Sequence, residues 1–208
     1  MHTTPIFRLD DKKGALAFLA AHPFATLAVN GNEGPVMALV PLVIDKAGQK
    51  LLGHVAWANP FWEAAQQSES SAVAVFRGAD AYVSPTSYPS KQVHEKVVPT
   101  WNYMAVEIRG EITVETQPEA MLPFLTALTN KMESHRDLPW EVSDAPEDYI
   151  AKLSRAIVGF TLNIDDISYV RKLSQNKSEQ DKQGVINSLE LSDNYQERQV
   201  AHAMKQEK

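Results

Sequence analysis

In two stretches of the chain, hydrophobic and polar residues alternate with a period of two. Every second residue is apolar between positions 106 and 114, apart from Gly110, and again between positions 158 and 164. This period is expected for a β-strand that has one buried face and one wet face. Gly110 lies in the middle of the first stretch and predicts a bulge or bend there.

Apolar runs bounded by turn residues predict more strands. Gly31 and Gly34 supply turn chemistry, so the runs on either side of them are expected to form an antiparallel hairpin. A second turn is expected at 45–48. The predicted strands of this kind cover residues 24–30, 35–44, 50–56, 71–78 and 81–85.

Helical spacing of apolar residues is clearest after Pro118, where Met121, Leu125 and Met132 belong to one stripe. Asn59 and Pro60 are typical of a helix start, because asparagine caps well and proline suits the first helical position. Helices are therefore predicted at 14–21, 59–67, 121–132 and 146–156, with one or two amphipathic helices after Ser168.

This order of elements favours an antiparallel barrel with peripheral helices over an alternating parallel sheet, since hairpins join most of the strands. The fold class we expect is mainly β with peripheral helices, of the α+β type. The expected domains are a barrel domain over 1–170 and a C-terminal helical extension over 171–208 that packs on the barrel or on a partner subunit.

Composition excludes several classes of function. The formal net charge of −6 does not support broad attraction to nucleic acid. The chain has no cysteine, so disulfides and thiolate metal sites are excluded, and its six histidines show no metal-ligand spacing. Charged residues near the N-terminus and the short apolar runs predict no signal peptide and no membrane span, hence a cytoplasmic protein.

The segment SYPSKQVHEKVVPTWNY, residues 87–103, combines cationic, polar and aromatic side chains. A phosphorylated cofactor needs this mixture, because cations bind its anionic end and flat groups surround its ring. Lys91 and Lys96 would supply the charge, and Trp101 or Tyr103 a wall. The alternative is a structural loop whose aromatic residues dock on the barrel. His54 is likewise either a structural histidine or a ligand contact.

Three motifs in this order resemble the PaiB family of FMN-binding negative transcriptional regulators. They are GHVAWANPFW at 53–62, the run from Val75 to Tyr103, and KLSQNKSEQDKQGVI at 172–186. The resemblance implies a split β-barrel of the flavin-binding type, related to pyridoxamine-phosphate oxidases and working as a homodimer with the cofactor at the subunit interface. It also implies a role in repressing transcription, although the net charge does not support direct DNA binding.

The resemblance further implies which residues bind the cofactor. These candidates are His54, Asn59, Lys91, Lys96, Thr100, Trp101, Asn102, Gln175 and Asn176. One position departs from the family pattern: a basic residue is common where this chain has Trp57. If that cation meets the FMN phosphate, its loss removes a contact of about 1.5–3 kcal/mol, and Trp57→Arg is expected to tighten FMN binding.

Three functions follow from these patterns. The first is a PaiB-like dimer that binds FMN or a similar ligand and influences transcription. The second is a flavin-dependent oxidoreductase or haem-binding enzyme on the same scaffold, with FMN or haem as cofactor and His54 or His94 as proton donor. The third is a cofactor-free dimeric binding module. No catalytic residue is assigned by the sequence.

Overall fold

The structure is a computed structural model that describes residues 1, 3–67 and 71–207. The described strands are β1 (Arg8–Leu9), β2 (Phe24–Gly31), β3 (Gly34–Pro41), β4 (Val43–Ile44), β5 (Lys50–Ala56), β6 (Ser71–Val83), β7 (Thr100–Glu115), β8 (Ile157–Asn163) and β9 (Asp166–Lys172). The described α-helices are α1 (Lys12–Ala21), α2 (Phe61–Gln67), α3 (Lys91–His94), α4 (Leu122–Glu133), α5 (Glu147–Ser154), α6 (Glu179–Glu190) and α7 (Tyr195–Gln206).

The predicted antiparallel sheet with peripheral helices is confirmed. Hydrogen bonding links the strands in the order β3-β2-β6-β7-β8-β5-β4, and β9 pairs with β1 and β7. Strands β2 and β3 form the expected hairpin, with Gly31 opposite Gly34 at its tip. This path does not return to its first strand, so the sheet is not closed.

Several strands differ from the sequence prediction, including the run 35–44, which is divided into β3 and β4. The predicted pair 71–78 and 81–85 is one 13-residue strand, β6, and β7 begins at Thr100 rather than at 106. Residues 166–172 form β9, where helix was expected from Ser168 onward. β9 contains only short apolar runs broken by Ser168 and Arg171, so its sequence does not show a clean period of two.

The described chain forms two compact units, each assembled from separate segments. The first contains Met1–Asp11, Arg77–Val106 and Ser168–Lys208, and the second contains Lys12–Phe76 and Glu107–Ile167. The long strands β6 and β7 therefore each contribute residues to both units. The domain boundary expected at residue 170 stays a prediction.

The first unit has its own hydrophobic core, which includes the C-terminal helices. Ala79, Ala81 and Val83 of β6 are buried together with Tyr88 and with apolar residues of the two helices. Val185 and Val200, one from α6 and one from α7, are completely buried in this core. The amphipathic pattern after residue 178 thus produces two helices whose apolar faces are covered.

The second unit contains a close backbone approach at Gly110. A Cβ atom added to Gly110 would lie 1.9 Å from the carbonyl oxygen of Asn163, so no larger residue fits without movement of the backbone. The Asp165 amide also donates a hydrogen bond of 3.1 Å to the Arg109 carbonyl. Glycine at this position therefore permits contact between β7 and the end of β8.

Candidate cofactor-binding site

The first unit brings the start of β7 beside the end of β9. The Asn102 side chain is completely buried, and its amide nitrogen donates a hydrogen bond of 2.9 Å to the Ser174 hydroxyl. Lys172 Nζ donates to the Thr100 hydroxyl at 2.5 Å and also to the Trp101 carbonyl. Two of the recognised motifs, PTWNY and KLSQNKS, thus meet through side chains about 70 positions apart.

A cavity of about 190 Å³ lies at this junction. We name it the dilysine cavity, because Lys172 and Lys177 both line it. Its other polar lining residues are Thr100, Asn102, Ser174 and Asn176, and its apolar lining residues are Phe7, Val98 and Pro99. A lining that combines cations, hydroxyls and amides with apolar groups is expected for a polar, anionic ligand.

The charge of the dilysine cavity is positive. Burial lowers the pKa of the Lys172 ammonium, and the nearby positive charge of Lys177 lowers it further. No carboxylate lines the cavity among the residues that the structure describes. Because an anion would favour the charged form of both lysines, the cavity is suited to phosphate binding.

A left-handed residue forms the turn between β9 and α6. Ser174 has a φ of 65°, a conformation that residues other than glycine rarely adopt. After this turn, Asn176 and Lys177 line the dilysine cavity, whereas Gln175 does not. The turn therefore places the Asn176 and Lys177 side chains on the side of the dilysine cavity and the Gln175 side chain away from it.

The first turn of α6 is tied to the segment that contains the PSK residues. Asp181 accepts hydrogen bonds from the Ser90 amide at 3.0 Å and the Ser90 hydroxyl at 2.9 Å. Ser178 caps the same helix by accepting from the Asp181 amide at 3.2 Å. Ser90 therefore fixes its own loop to α6.

Trp101 faces away from the dilysine cavity, because successive side chains on a strand point to opposite faces. Its indole is about half exposed and lies edge-on to Tyr82, with ring centroids 6.0 Å apart. Trp101 and Tyr103 line a second cavity of about 250 Å³ with Arg77 and Asp80. The sequence analysis placed Trp101 in the wall of the same pocket in which lysines bind the phosphate. In the structure Trp101 instead lines a cavity other than the dilysine cavity.

Lys91 and Lys96, the lysines named from the sequence, lie in a short helix and in the turn that follows it. Lys91 begins the four-residue helix α3, and Lys96 follows Glu95, which has a positive φ of 55°. Neither lysine is among the residues that line the dilysine cavity. Their predicted role in ligand binding stays a prediction.

Gln175 is engaged in a structural contact with the C-terminal end of α7. Its side chain donates to the Arg171 carbonyl at 2.6 Å and accepts from the Leu173 amide at 2.8 Å. It also donates to the Glu207 carboxylate at 3.2 Å, which is bound by Arg171 as well. In this chain Gln175 therefore fixes the turn and the chain end.

His54 and Asn59 belong to the second unit. Asn59 accepts a hydrogen bond of 3.0 Å from the Phe61 amide, which confirms its predicted role as the cap of α2. His54 lies on β5 opposite Gly159, and burial lowers the pKa of its imidazole. Its Nδ1 is buried and has no hydrogen-bond partner among the described residues.

Trp57 also lies in the second unit and is half exposed. Its ring is 5.0 Å from that of Trp62, and the Trp62 indole nitrogen donates a hydrogen bond of 2.8 Å to the Trp57 carbonyl. Trp57, at the position where the resemblance implies a cation, therefore packs against a neighbouring aromatic ring.

Sequence reasoning missed Lys172 and Lys177. Both lie within the recognised KLSQNKS motif, but the amides beside them were preferred as candidates. The available signal was the positive charge of these two side chains, because cations bind the anionic end of a phosphorylated ligand.

Two further classes of site receive no support from the described residues. Among them, no three histidine, aspartate or glutamate side chains are grouped so that they could hold a metal ion. Within the same residues, each helix is too short or too polar to cross a bilayer.

Comparison with known proteins identifies the family. Residues 1–166 match the family model described as "Putative FMN-binding domain". The chain is 30% identical over 206 residues to the Protease synthase and sporulation protein PAI 2 of Bacillus subtilis, covering 98% of this chain and 96% of that protein.

Solved structures with low sequence identity share the fold. The flavocytochrome Anf3 from Azotobacter vinelandii is 15% identical, with a TM-score of 0.61 over 86% of this chain and 77% of that chain. The FAD and heme binding protein from Mycobacterium smegmatis is 18% identical, with a TM-score of 0.60 over 84% of this chain and 78% of that chain. The expected split-barrel fold is confirmed, and the chain belongs to the PaiB family of proteins with this FMN-binding domain.

Proposed function

We propose that this protein binds FMN and that the dilysine cavity receives the phosphate end of the cofactor. The observation that carries the proposal is the pair Lys172 and Lys177, which face one cavity without a lining carboxylate among the described residues. Each ammonium would donate a charge-assisted hydrogen bond to a phosphate oxygen. The family match supports the identity of the cofactor.

The volume of the dilysine cavity indicates that it would hold only part of FMN. Its volume of about 190 Å³ is below the roughly 300–1,000 Å³ typical of whole ligand pockets. Thr100 and Asn176 offer hydrogen bonds to the hydroxylated chain next to a phosphate. The flavin ring, which supplies the redox chemistry of FMN when it is bound, would be held by groups outside the cavity. We propose that a homodimer provides them.

A comparison of FMN with riboflavin tests the proposal, because riboflavin has the same ring and hydroxylated chain but no phosphate. Flavin fluorescence is titrated with purified protein at low and high salt. We expect FMN to bind at least about tenfold more tightly than riboflavin, since one charge-assisted contact contributes about 1.5–3 kcal/mol. The difference should narrow at high salt. Equal affinities for the two flavins would refute a phosphate site.

For the cellular role, we propose a cytoplasmic negative regulator of transcription that responds to its flavin ligand. The support is membership of the same family as a protein named for protease synthesis and sporulation. The net charge of −6 favours action through a protein partner over direct DNA contact. A gel-shift titration of the protein's own promoter DNA at several salt concentrations tests this choice. A sequence-specific shift would show direct binding, and no shift above the nonspecific level would leave only the partner route.

His54 supports a second candidate, a flavin-dependent oxidoreductase or haem-binding enzyme. Its unpartnered Nδ1 and lowered pKa keep a neutral imidazole at pH 7, which is the form that binds a haem iron or accepts a proton. Addition of haemin to the apoprotein tests it. A shifted Soret band that is lost in His54→Ala, and kept in the exposed control His135→Ala, would favour the enzyme. No Soret shift would remove the haem alternative.

A further inference from the structure

Each lysine of the dilysine cavity lies over the face of an aromatic ring. Lys172 Nζ is 5.9 Å from the centroid of the Phe7 ring. Lys177 Nζ is 5.0 Å from the centroid of the Tyr88 ring. Both distances are within the roughly 6 Å at which the negative face of a ring attracts a cation. Each of the two cations therefore has an aromatic ring of its own.

The pairing of β1 with β9 brings the Phe7 ring to its lysine. Arg8 lies opposite Val170 in the antiparallel register, so Phe7 comes beside the end of β9, where Lys172 lies. Phe7 lines the dilysine cavity and is only 6% exposed. Because buried side chains are closely packed, this ring has little freedom to move away from Lys172.

The Tyr88 ring belongs to the core of the first unit. It is 1% exposed and is packed with apolar residues of β6, α6 and α7. No described residue forms a hydrogen bond or a direct ion pair with the Lys177 ammonium, although the charge of Asp181 acts on it. A rigid ring is thus a direct contact of an ammonium that is otherwise loosely held.

An aromatic ring can hold a cation without neutralising it. A carboxylate in the same place would pair with the ammonium, accept its N–H donors and repel a phosphate. A ring attracts the ammonium through its quadrupole but carries no net charge. Lys172 directs two of its three N–H donors to Thr100 and Trp101, so a third donor remains for a ligand. Both lysines can therefore stay charged and able to bind an anion.

From these contacts we infer that Phe7 and Tyr88 are positioning residues of the phosphate site, each holding one lysine ammonium through the face of its ring. The inference rests on the proposed FMN site and names the residues that preorganise it. A lysine that is already held loses less side-chain freedom when phosphate binds, and ordering one such side chain costs about three- to tenfold in affinity. The alternative is simple packing of the lysine stem on an apolar surface, for which an aliphatic residue would serve equally well.

Tyr88→Leu and Tyr88→Phe separate the two explanations in FMN and riboflavin titrations. Phenylalanine keeps the ring face and removes a hydroxyl that is buried without a hydrogen-bond partner among the described residues, so this variant should fold at least as stably. Leucine keeps an apolar contact but has no quadrupole. We expect FMN affinity to fall about three- to tenfold in Tyr88→Leu and to stay within about twofold in Tyr88→Phe. Riboflavin affinity should be unchanged in both.

A trifluorinated phenylalanine tests the first ring with almost no change of shape. Introduced in place of Phe7, it removes the negative charge of the ring face but keeps the ring itself. We expect it to weaken FMN binding about three- to tenfold, without an effect on riboflavin. The matched control is the same amino acid in place of Phe76, which is completely buried and does not line the dilysine cavity. We expect this control to bind both flavins like the wild type.

Nuclear magnetic resonance of the apoprotein reports the two contacts without FMN. Lysine methylene protons that lie over an aromatic face are shifted upfield by the ring current, and Lys172→Gln and Lys177→Gln assign the shifted signals. We expect the Lys177 shift to be lost in Tyr88→Leu and kept in Tyr88→Phe. Lysine signals without any such shift in the wild type would contradict the inference before a ligand is added.

The flavin titrations distinguish failure of this inference from failure of the proposed function. Equal affinities of the wild type for FMN and riboflavin would refute the phosphate site and the inference with it. If the wild type prefers FMN, and Tyr88→Leu or the fluorinated ring at position 7 keeps that preference in full, the phosphate site stands and the inference alone is wrong. Equal losses in Tyr88→Leu and Tyr88→Phe would assign the effect to the tyrosine hydroxyl and also overturn it.

Discussion

The amide nitrogen of Asn102 lies 2.9 Å from the hydroxyl oxygen of Ser174, and both residues are buried although they are 72 positions apart. Because neither residue has access to bulk water, the loss of one partner leaves the other with an unsatisfied polar group.

Asn102→Ala is expected to reduce the free energy of unfolding by about 1–3 kcal/mol, as measured by urea denaturation. Ser174→Ala should have a smaller or similar effect. The double variant should lose less than the sum of the two, because the second change removes the orphaned group. Additive losses would show that the two side chains do not depend on each other.

The phosphate proposal predicts that Lys172→Gln weakens FMN binding roughly ten- to a hundredfold, since one charge-assisted hydrogen bond is lost. Riboflavin binding should change little. Lys91→Gln is the control, because it removes the same charge from a residue that does not line the dilysine cavity. If Lys91→Gln and Lys172→Gln weaken FMN equally, the phosphate does not depend on this cavity.

Trp57→Arg distinguishes two locations for the phosphate. The comparison with the family pattern predicts tighter FMN binding once the cation is restored. If the phosphate lies between Lys172 and Lys177 as proposed, we expect the FMN affinity to remain within about twofold, since the general attraction of one exposed charge is screened by salt. If the variant binds FMN about tenfold more tightly or more, and riboflavin with unchanged affinity, the phosphate lies beside residue 57.

The pH dependence of stability should reveal Asp181. Burial alone raises the pKa of its carboxyl, but hydrogen bonds from Ser90 and Ser178 and the charge of Lys177 outweigh this, so the pKa lies below its ordinary 3.8. A lowered pKa in the folded state stabilises the protein above the unfolded-state value, and this stabilisation is lost as the pH falls through the folded-state value.

Asp181→Asn removes this contribution. We expect the variant to be less stable than the wild type by a constant amount above about pH 5. The gap should narrow as the pH falls below 3.8, where the wild-type carboxyl also takes up a proton. Denaturant titrations between pH 2.5 and 7 measure it. A gap independent of pH across this range would mean that ionisation of Asp181 does not contribute.

Gly184→Ala should destabilise the protein, although alanine is normally better than glycine in a helix by about 1 kcal/mol. A Cβ at this position of α6 would lie 2.2 Å from the Ser87 carbonyl oxygen and 2.7 Å from Pro89 Cδ. Movement of the helix or the loop is expected to cost about 1–3 kcal/mol. Gln183→Ala, at the exposed neighbouring position, should be close to neutral. Thermal unfolding of both variants checks the contrast.

The sequence predicted those parts of the fold that depend on local periodicity. The alternation around residues 106–114 identified the middle of β7, and the glycines at 31 and 34 identified the β2–β3 hairpin. The beginning of β7 was missed because Pro99 and the polar residues Thr100 and Asn102 are typical of a loop. The burial of Asn102 depends on Ser174, a partner from the turn after β9.

The candidate site was only partly predictable for the same reason. Thr100, Asn102 and Asn176 were named from the motifs and line the dilysine cavity, whereas Lys172 and Lys177 were passed over. A motif gives the order of residues but not the direction in which each side chain points. Here the left-handed backbone of Ser174 determines which of the following side chains line the dilysine cavity. The Ser90 hydroxyl likewise has a partner that the motif does not reveal, because it donates to Asp181, 91 positions away.

The position of each residue along strand β7 determines which of the two cavities its side chain lines. Thr100 and Asn102 face Lys172, while Trp101 and Tyr103 face Arg77 and Asp80 on the other side of the strand. Deletion of Met104 would shift residues 100–103 by one position relative to the rest of β7 and exchange the two sets, since a one-residue slip reverses every side chain. The indole would then be directed at the lysines, and the amide at the aromatic ring of Tyr82. Point substitutions at Trp101 or Asn102 can alter one cavity at a time, but an insertion or deletion in this stretch alters both at once.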